Sequence, residues 1–435
     1  MMSQSRQEPS YLLREVFVPG GMPSITYQAR KQLDLEGTLE NYLNRLSKFI
    51  AIAGPTKSGK TVLARKVIPP EQSIWIEGAH ISSMDAFWDV LLAKLGIASP
   101  AGVTNTKSFD ETTEDEIDIS VRPAGMGGGS RSKDSIRKTT TTAISQVVQL
   151  SKPQSAITAL LKSKLTIVID DFHYLNPEIQ RDLIRSLKQA VFDGLAVVLI
   201  LIPHRMHQAA TAEMDVDGRT QTLSIPPWQP DELFSIADTG ARALGVRFHA
   251  VTINEMVQES FQSPHLMQDF CSLLCSDNRV SMTVFGALKT LTFLNGSQEF
   301  FARLANTISP ESFRALQKGP PRTNRIARPM RSGGSCDTYE AVLLAVKNLE
   351  VMTPIRWNEL RRSLQDLLLE EPQQHEVTRV LEKMDDIAKS RPGEPVLDYV
   401  GGELHLVDPF FRFYVKWGDS APRPLAGSTK DLALD

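Results

Sequence analysis

Cysteine is scarce in this chain of 435 residues, which contains only Cys271, Cys275 and Cys336. Cysteines so few and so widely separated exclude a disulfide framework and a cysteine-based zinc site. The first two lie four residues apart on a predicted helix, so we expect them to be small core residues. The eight histidines include no HExxH pattern, and His204 with His207 does not by itself form a metal site.

Long apolar runs and a dominant charge are also missing. No stretch approaches the length of a membrane-spanning helix, and the first residues, MMSQSRQEPSYLL, lack the apolar centre of a secretory signal. The 48 Lys and Arg residues nearly balance 51 Asp and Glu, for a formal net charge of −3. A basic surface that attracts nucleic acid would therefore have to be local. We expect a cytoplasmic protein without a membrane partner.

The composition is that of a globular protein with more than one domain. Hydrophobic residues make up 41% and charged residues 23% of the chain, which excludes the disordered class, and 435 residues exceed what one core usually supports. Residues 98–140 have an acidic part and a Gly-Ser-basic part with little apolar material, so we predict a disordered insertion. The predicted divisions are an N-terminal arm 1–25, a nucleotide-binding core 26–228, a helical lid 229–316, a linker 317–335, a winged-helix domain 336–418 and a tail 419–435.

A glycine-containing loop follows the first apolar run. Residues 49–53 read FIAIA, which is typical of a buried strand, and residues 54–61 continue as GPTKSGKT. A strand that delivers such a loop to the start of a helix directs backbone N–H groups and the positive end of the helix dipole at one polyphosphate. The sequence therefore predicts a nucleoside triphosphate site. The residues expected to bind it are Gly54, Pro55, Thr56, Lys57, Ser58, Gly59, Lys60, Thr61 and Val62.

The residue types in this loop suit phosphate binding. Gly54 and Gly59 permit backbone angles and a close approach to phosphate that a Cβ atom would obstruct. Lys60 supplies a positive charge to the β- and γ-phosphates, so we predict a catalytic role for it, and Thr61 offers its hydroxyl to Mg²⁺. The alternative is a chance glycine turn before a helix.

Two carboxylates follow the next strongly apolar stretch. Residues 165–169 read LTIVI, which is typical of a strand buried on both faces, and Asp170 and Asp171 come directly after it. Because carboxylates at the end of a buried strand need a cation, we predict that Asp170 orients water around Mg²⁺. Asp171 is expected to be the general base, or else to hold structure only. No NKxD-like motif specifies guanine, and that absence favours ATP.

The remaining chain is mainly helical. The linker sequence QKGPPRTNRIARPMRSGGS has an arginine at every third position from Arg322 to Arg331, which marks either a solubilising linker or an extended segment that tracks phosphates. Helices over 339–349, 354–369 and 375–389, followed by a hairpin over 396–407, predict a winged helix. Its third helix is too acidic for a major groove. The last aromatic residues are predicted to pack the core, with a base-stacking platform as the alternative.

Together these features resemble the STAND ATPases related to the AAA+ proteins, and also the archaeal ATPases and origin-recognition initiators related to them. The residues that carry the resemblance are 54–61, the strand end Asp170-Asp171-Phe172-His173, the passage 219–228 and the closing DPFFRFY at 408–414. The resemblance covers residues 26–418. It implies an α/β P-loop NTPase fold of the ASCE type, with a parallel sheet in the order 5-1-4-3-2, a helical lid and a C-terminal winged-helix domain.

The resemblance also implies roles for residues outside the two motifs. Tyr27 and Arg30 would lie near the base or ribose, and His204 or Arg205 would sense the γ-phosphate. Arg219 would be a catalytic arginine finger that reaches a neighbouring subunit, or else a solvated charge at the start of a strand.

One departure from the family pattern bears on the type of activity. The lid helix near residues 263–265 has no arginine where AAA+ initiators place a γ-phosphate sensor. This difference favours a slow switch over a motor.

The function implied is an ATP-driven switch, with ATP/ADP and Mg²⁺ as cofactors. Its nucleotide state would control assembly into a homo-oligomer and engagement of a separate effector or regulatory protein, and bacterial antiviral defence is one setting for such switches. The alternative is a DNA-associated regulator or loader that uses the winged helix and the basic linker.

Overall fold

The computed structural model of the chain describes residues 9–97, 151–202, 218, 220–321, 326–351, 353–391 and 394–418. The predicted insertion 98–140, the tail 419–435, and His204, Arg205 and Arg219 lie outside these residues. Within the described segments, no helix combines the length and apolar character needed to cross a membrane.

A five-stranded parallel sheet forms the centre of the N-terminal half. Its strands are β1 Phe49–Ala53, β2 Ser73–Glu77, β3 Thr166–Asp170, β4 Val197–Leu201 and β5 Thr220–Ser224. They lie in the order β2-β3-β4-β1-β5 and all pair in parallel. The order 5-1-4-3-2 implied by the resemblance is therefore confirmed.

Helices cover both faces of this sheet. They are α2 Leu35–Asn44, α3 Lys60–Val67, α4 Met84–Lys94, α5 Lys152–Ser163 and α6 Pro177–Phe192, whereas α1 Leu13–Val16 packs in the core of the lid. Side chains of β3 alternate between two cores: Ile167 and Ile169 pack with α4, α5 and α6, whereas Val168 packs with α2 and α3. Because both faces are buried, the strand reads as a continuous apolar run. The carboxyl ends of β1 and β3 consequently meet at one edge of the sheet.

The predicted lid is a separate helical layer. It contains α7 Pro230–Ala243, α8 Ala250–Glu259, α9 Pro264–Asp277, α10 Ser297–Ala305 and α11 Glu311–Lys318, with a two-stranded parallel sheet of β6 Val246–Phe248 and β7 Lys289–Leu291. Cys271 and Cys275 are fully buried in its core, and burial raises the pKa of the Cys275 thiol to about 12. These thiols are core residues, as their spacing suggested.

The C-terminal part contains the three helices and the hairpin expected for a winged helix. Its elements are β8 Arg328–Pro329, β9 Ser335–Cys336, α12 Thr338–Asn348, β10 Ile355–Arg356, α13 Trp357–Leu367, α14 Gln374–Ser390, β11 Leu397–Val400, β12 Glu403–Leu406 and α15 Pro409–Trp417. Strands β11 and β12 join β10 in an antiparallel sheet of order β10-β12-β11.

The second half of the predicted linker folds as a short hairpin and not as an extended connection. Strands β8 and β9 pair as an antiparallel hairpin. The Arg328 side chain donates to Glu376 of α14 at 2.8 Å, and Arg331 donates to the Gln365 carbonyl at 2.9 Å. These two arginines are held by the winged-helix part, because a carboxylate and a carbonyl accept their guanidinium protons; Arg322 and Arg325 lie outside the described residues.

The C-terminal helix ties the winged-helix part to the lid. Phe413 is fully buried, with its ring centroid 5.2 Å from that of Phe270 in α9 and 6.0 Å from that of Phe301 in α10. Lys416 and Trp417 both donate to the Glu259 carboxylate, at 2.6 and 2.7 Å. The aromatic residues of α15 therefore pack a core between two parts of the chain, as the packing interpretation required.

Candidate nucleotide site

The loop between β1 and α3 is shaped by its glycines. Gly59 has a φ of +91°, which L side chains adopt only at a cost. A Cβ atom at Gly54 would lie 2.9 Å from the Ile225 carbonyl oxygen and 3.2 Å from Ser58 Oγ. The indole of Trp228 donates to the Ser58 carbonyl at 2.8 Å. Strand β1, the glycine turn and the Trp228–Ser58 hydrogen bond hold the loop above the N-terminus of α3, in the arrangement that binds phosphate.

Lys60 is the buried cation of this loop. Its residue exposure is 7%, and its Nζ atom donates to the carbonyls of Gly54 at 3.0 Å and Pro55 at 2.7 Å. Burial lowers the pKa of Lys60, while the nearby carboxylates of Glu394, Asp171 and Asp170 oppose that change. An ammonium group this desolvated is well placed to attract the oxygens of a polyphosphate.

Thr61 and Asp170 bring the two motifs into contact. The Thr61 hydroxyl donates to Asp170 Oδ2 at 2.9 Å, and the Asp171 backbone N–H donates to Asp170 Oδ1 at 3.0 Å. Burial raises the pKa of Asp170, and the Thr61 hydrogen bond opposes the rise. A hydroxyl oxygen and a carboxylate oxygen at this distance are the hard ligands that Mg²⁺ accepts, so the residues present fit this metal.

Asp171 occupies an unusual backbone position. Its φ is +52°, a left-handed value that aspartate tolerates better than most residues. Burial, followed by the neighbouring Asp170 and Glu394, raises the pKa of the Asp171 carboxyl to about 6. A base that titrates near neutral pH suits proton transfer in water activation. The Asp171 side chain also lines the cavity beside the loop.

A cavity of about 330 Å³ lies against the phosphate loop. Its walls come from residues 57–63, from the N-terminal arm, from the start of α9 in the lid and from Glu394 of the winged-helix part. Val62 belongs to this wall. Gly54, Pro55 and Thr56 lie along a different cavity of about 440 Å³, between the loop and the winged-helix part.

Tyr27 and Arg30 both line the first cavity. The Arg30 guanidinium is mostly engaged in protein contacts: it donates to the Glu232 carboxylate at 2.9 Å and to the carbonyls of Pro226 at 2.9 Å and Pro227 at 3.1 Å. The pKa of the Tyr27 phenol is raised well above its usual value by burial and by Glu36. These contacts make Arg30 a fixed part of the wall, while Tyr27 contributes an aromatic surface.

Two acidic residues at the site, Glu394 and Asp408, were not among the site residues predicted from the sequence. Glu394, from the loop before β11, lies with its Oε1 atom 3.8 Å from His173 Nε2. Asp408, which begins α15, pairs with Lys57 of the phosphate loop at 3.3 Å, and Lys57 Nζ lies 3.9 Å from the Phe410 ring centroid. The sequence DPFFRFY, which begins with Asp408 and contributes to the family resemblance, could have indicated Asp408 as a site residue. Glu394 has no local sequence signal.

Comparison with known proteins supports the fold. No protein-family model matches the chain, and no curated protein matches it. A Walker-type ATPase of Pyrococcus abyssi is similar over 89% of this chain and 95% of its own, at 13% identity and a TM-score of 0.51. The chain has the fold of a P-loop ATPase.

Two further solved structures show weaker similarity to this chain. Cdc6p of Pyrobaculum aerophilum matches over 92% of this chain and 96% of its own, at 14% identity and a TM-score of 0.41. A STAND protein with a tetratricopeptide repeat sensor from Pyrococcus horikoshii matches over 91% of this chain and 43% of its own, at 13% identity and a TM-score of 0.35. The resemblance inferred from the motifs is confirmed for the P-loop ATPase fold by the Pyrococcus abyssi structure.

Proposed function

We propose that this protein is an ATP-dependent molecular switch that binds ATP with Mg²⁺ and hydrolyses it slowly. The observation that carries the proposal is the 2.9 Å contact between Thr61 Oγ1 and Asp170 Oδ2, beside the buried ammonium group of Lys60. These three groups supply the charge and the oxygen ligands that a magnesium triphosphate requires.

Each group at the site has a separate role in this proposal. The amides of residues 57–62 and the N-terminus of α3 hold the phosphates, and Lys60 offsets the negative charge of the transferred group. Thr61 and Asp170 would hold Mg²⁺, which would supply charge stabilisation to the phosphates. Asp171 accepts a proton from the attacking water. Tyr27 lines the region expected to receive the base or ribose.

The contacts of the winged-helix part explain how nucleotide binding would change the conformation. Lys57 of the loop pairs with Asp408, and Glu394 lies close enough to Lys60 to contribute most among the nearby carboxylates to its electrostatic environment. Triphosphate oxygens at Lys60 would repel the Glu394 carboxylate. Nucleotide therefore favours conformations in which the winged-helix part is displaced. The shift between docked and displaced conformations is set by the difference in nucleotide affinity between them.

Assembly and partners are further parts of the same proposal. Arg219 would complete the site of a neighbouring subunit, and His204 would sense the γ-phosphate, so that an ATP-bound homo-oligomer is the active state. A separate effector or regulatory protein would read this state, with antiviral defence as one setting. Mass photometry with ADP and with a non-hydrolysable ATP analogue tests the assembly. A larger particle only with the analogue supports it, and identical masses contradict it.

The DNA-associated alternative has less support. Arg328 and Arg331 are engaged within the winged-helix part, and on α14 the basic residues Lys383 and Lys389 pair with Asp386 and Asp385. A titration with duplex and single-stranded DNA over rising salt separates the two functions. Tight, salt-sensitive binding would favour the alternative.

Phosphate release by the purified full chain tests hydrolysis. Lys60→Ala should abolish turnover, since the charge at the β- and γ-phosphates is lost. Lys48→Ala is the matched control, because Lys48 is an exposed lysine before β1. Equal turnover in the wild type and both variants would mean that the site is misplaced.

A further inference from the structure

Three possible metal ligands converge where the winged-helix part meets the nucleotide-binding core. Asp171 and His173 follow strand β3, whereas Glu394 comes from the segment before β11. One ligand atom from each residue lies within 4.8 Å of the other two. The His173 side chain is 1% exposed and that of Glu394 is 20% exposed. The cluster is therefore partly shielded from water and brings together residues more than two hundred positions apart.

The chemistry of this set differs from that of the magnesium site. Thr61 and Asp170 offer only oxygen, whereas the cluster combines an imidazole nitrogen with two carboxylates. A nitrogen ligand with carboxylates suits Zn²⁺ and neighbouring first-row metals better than Mg²⁺. Ligands about 2.1 Å from a tetrahedral zinc ion lie about 3.4 Å from one another. The His173–Glu394 separation of 3.8 Å needs only a small side-chain adjustment to meet that geometry.

Electrostatics also favour a cation at this position. Asp171 and Glu394 are both partly desolvated and lie close together, an arrangement that disfavours two ionised carboxylates. Lys60 is a buried cation that interacts with Asp171 and Glu394, but its ammonium group donates to the carbonyls of Gly54 and Pro55. A divalent ion between Asp171, His173 and Glu394 would neutralise both acids at once.

We propose that Asp171, His173 and Glu394 form a binding site for Zn²⁺ or a similar transition-metal ion, which clamps the winged-helix part onto the nucleotide-binding core. The site exists only when the two parts are docked, since neither part supplies all three ligands. A bound ion would hold Asp171 away from water activation and would oppose the displacement of Glu394. Zinc would thus stabilise the docked conformation. The binding step does not depend on the proposed ATPase function.

Equilibrium dialysis of the chelator-treated full chain against ZnCl₂, without nucleotide, tests the site. We expect one ion per chain. Glu394→Gln and His173→Gln should each weaken binding by at least the roughly 10–100-fold that loss of an outer-shell partner causes. Glu403→Gln is the matched control, because Glu403 lies 3.9 Å from His405 as a partly exposed acid–histidine pair outside the cluster. It should leave zinc affinity unchanged.

Two further measurements separate the possible outcomes. Zinc should raise the melting temperature of the wild type and of Glu403→Gln but not of Glu394→Gln, because an ion that binds the folded state stabilises that state. Lys60→Ala should lose nucleotide binding and keep zinc binding, so failure of the ATPase proposal is distinguishable from failure of this one. Absence of stoichiometric zinc, or equal affinity in the wild type and both ligand variants, would overturn the proposal.

Discussion

Lys57 in the phosphate loop lies 3.3 Å from Asp408 at the start of the C-terminal helix. The same Asp408 carboxylate accepts the backbone N–H of Phe410 at 2.7 Å, so it also caps α15. One side chain therefore joins the phosphate loop electrostatically to the winged-helix part and begins the helix that packs on the lid.

These two roles of Asp408 can be separated by substitution. Asp408→Asn keeps an oxygen that caps α15 but removes the charge, and we expect it to lower the free energy of unfolding by less than about 1 kcal/mol, since the pair is partly exposed. Asp408→Ala also loses the cap, which should cost about a further 1 kcal/mol. Urea unfolding of both variants measures the difference. Equal losses would show that the cap contributes nothing.

The indole of Trp228 should matter for the shape of the loop. Trp228→Phe keeps an aromatic ring beside Arg30 but leaves the Ser58 carbonyl without its 2.8 Å donor. We expect a loss of about 1 kcal/mol in the free energy of unfolding and weaker nucleotide binding.

The matched control for this substitution is Trp75→Phe. The Trp75 indole donates to Ser73 Oγ at 3.1 Å, away from the loop. The control should leave nucleotide affinity unchanged. A similar effect of the two substitutions on nucleotide affinity would argue against a role of the Trp228 hydrogen bond.

Asp269 in the lid should make stability depend on pH. Burial raises the pKa of its carboxyl to about 6, against an opposing effect of Lys57. A folded-state pKa above the ordinary value gives stability that is complete below about pH 4 and is lost as the pH rises through about 6. We therefore expect Asp269→Asn to raise the melting temperature relative to the wild type at pH 7.5, and to raise it clearly less at pH 4.5.

Other charged groups near Asp269 do not reverse this expectation. His265 lies 3.7 Å from Asp269, and burial and Lys57 lower the pKa of His265 to about 4, so this imidazole is neutral at pH 7.5. Lys57 and Asp408 are the same residues in both proteins. An equal shift of melting temperature at both pH values would contradict the assignment to Asp269.

Asp171→Asn should separate nucleotide binding from hydrolysis. Asparagine tolerates the left-handed backbone at this position, so the loop after β3 should keep its shape. Loss of the base is expected to slow turnover by about 10²–10⁴-fold, with nucleotide affinity unchanged within a few-fold. Single-turnover phosphate release and a binding titration on the same preparation measure both quantities. Undiminished turnover would show that Asp171 has only a structural role.

The site could be predicted from the sequence where its residues directly follow a strand along the chain. The apolar runs at 49–53 and 165–169 marked two strands, and the residues directly after each run meet in the Thr61–Asp170 hydrogen bond. The order of the sheet came from the resemblance, because strand periodicity does not specify which strands are neighbours.

What could not be predicted depends on contacts between distant segments. Nothing in the residues around Glu394 marks it as a site residue; its position follows from how the winged-helix part docks. The hairpin over 328–336 looked like a linker because its strands are only two residues long, and its stability comes from tertiary contacts such as Arg328 with Glu376. The ion pair of Arg30 with Glu232 could not be predicted for the same reason, since the two residues are distant in the sequence.

The most direct test of the central claim is calorimetric titration of the purified chain with ATP in the presence and absence of Mg²⁺. The account predicts saturable heat for one site per chain that requires Mg²⁺ for full affinity. It also predicts that Lys60→Ala removes this heat, that Asp170→Asn removes the Mg²⁺ dependence, and that Lys48→Ala leaves both unchanged. Absence of binding to the wild type, or the same affinity in the wild type and Lys60→Ala, would contradict the account.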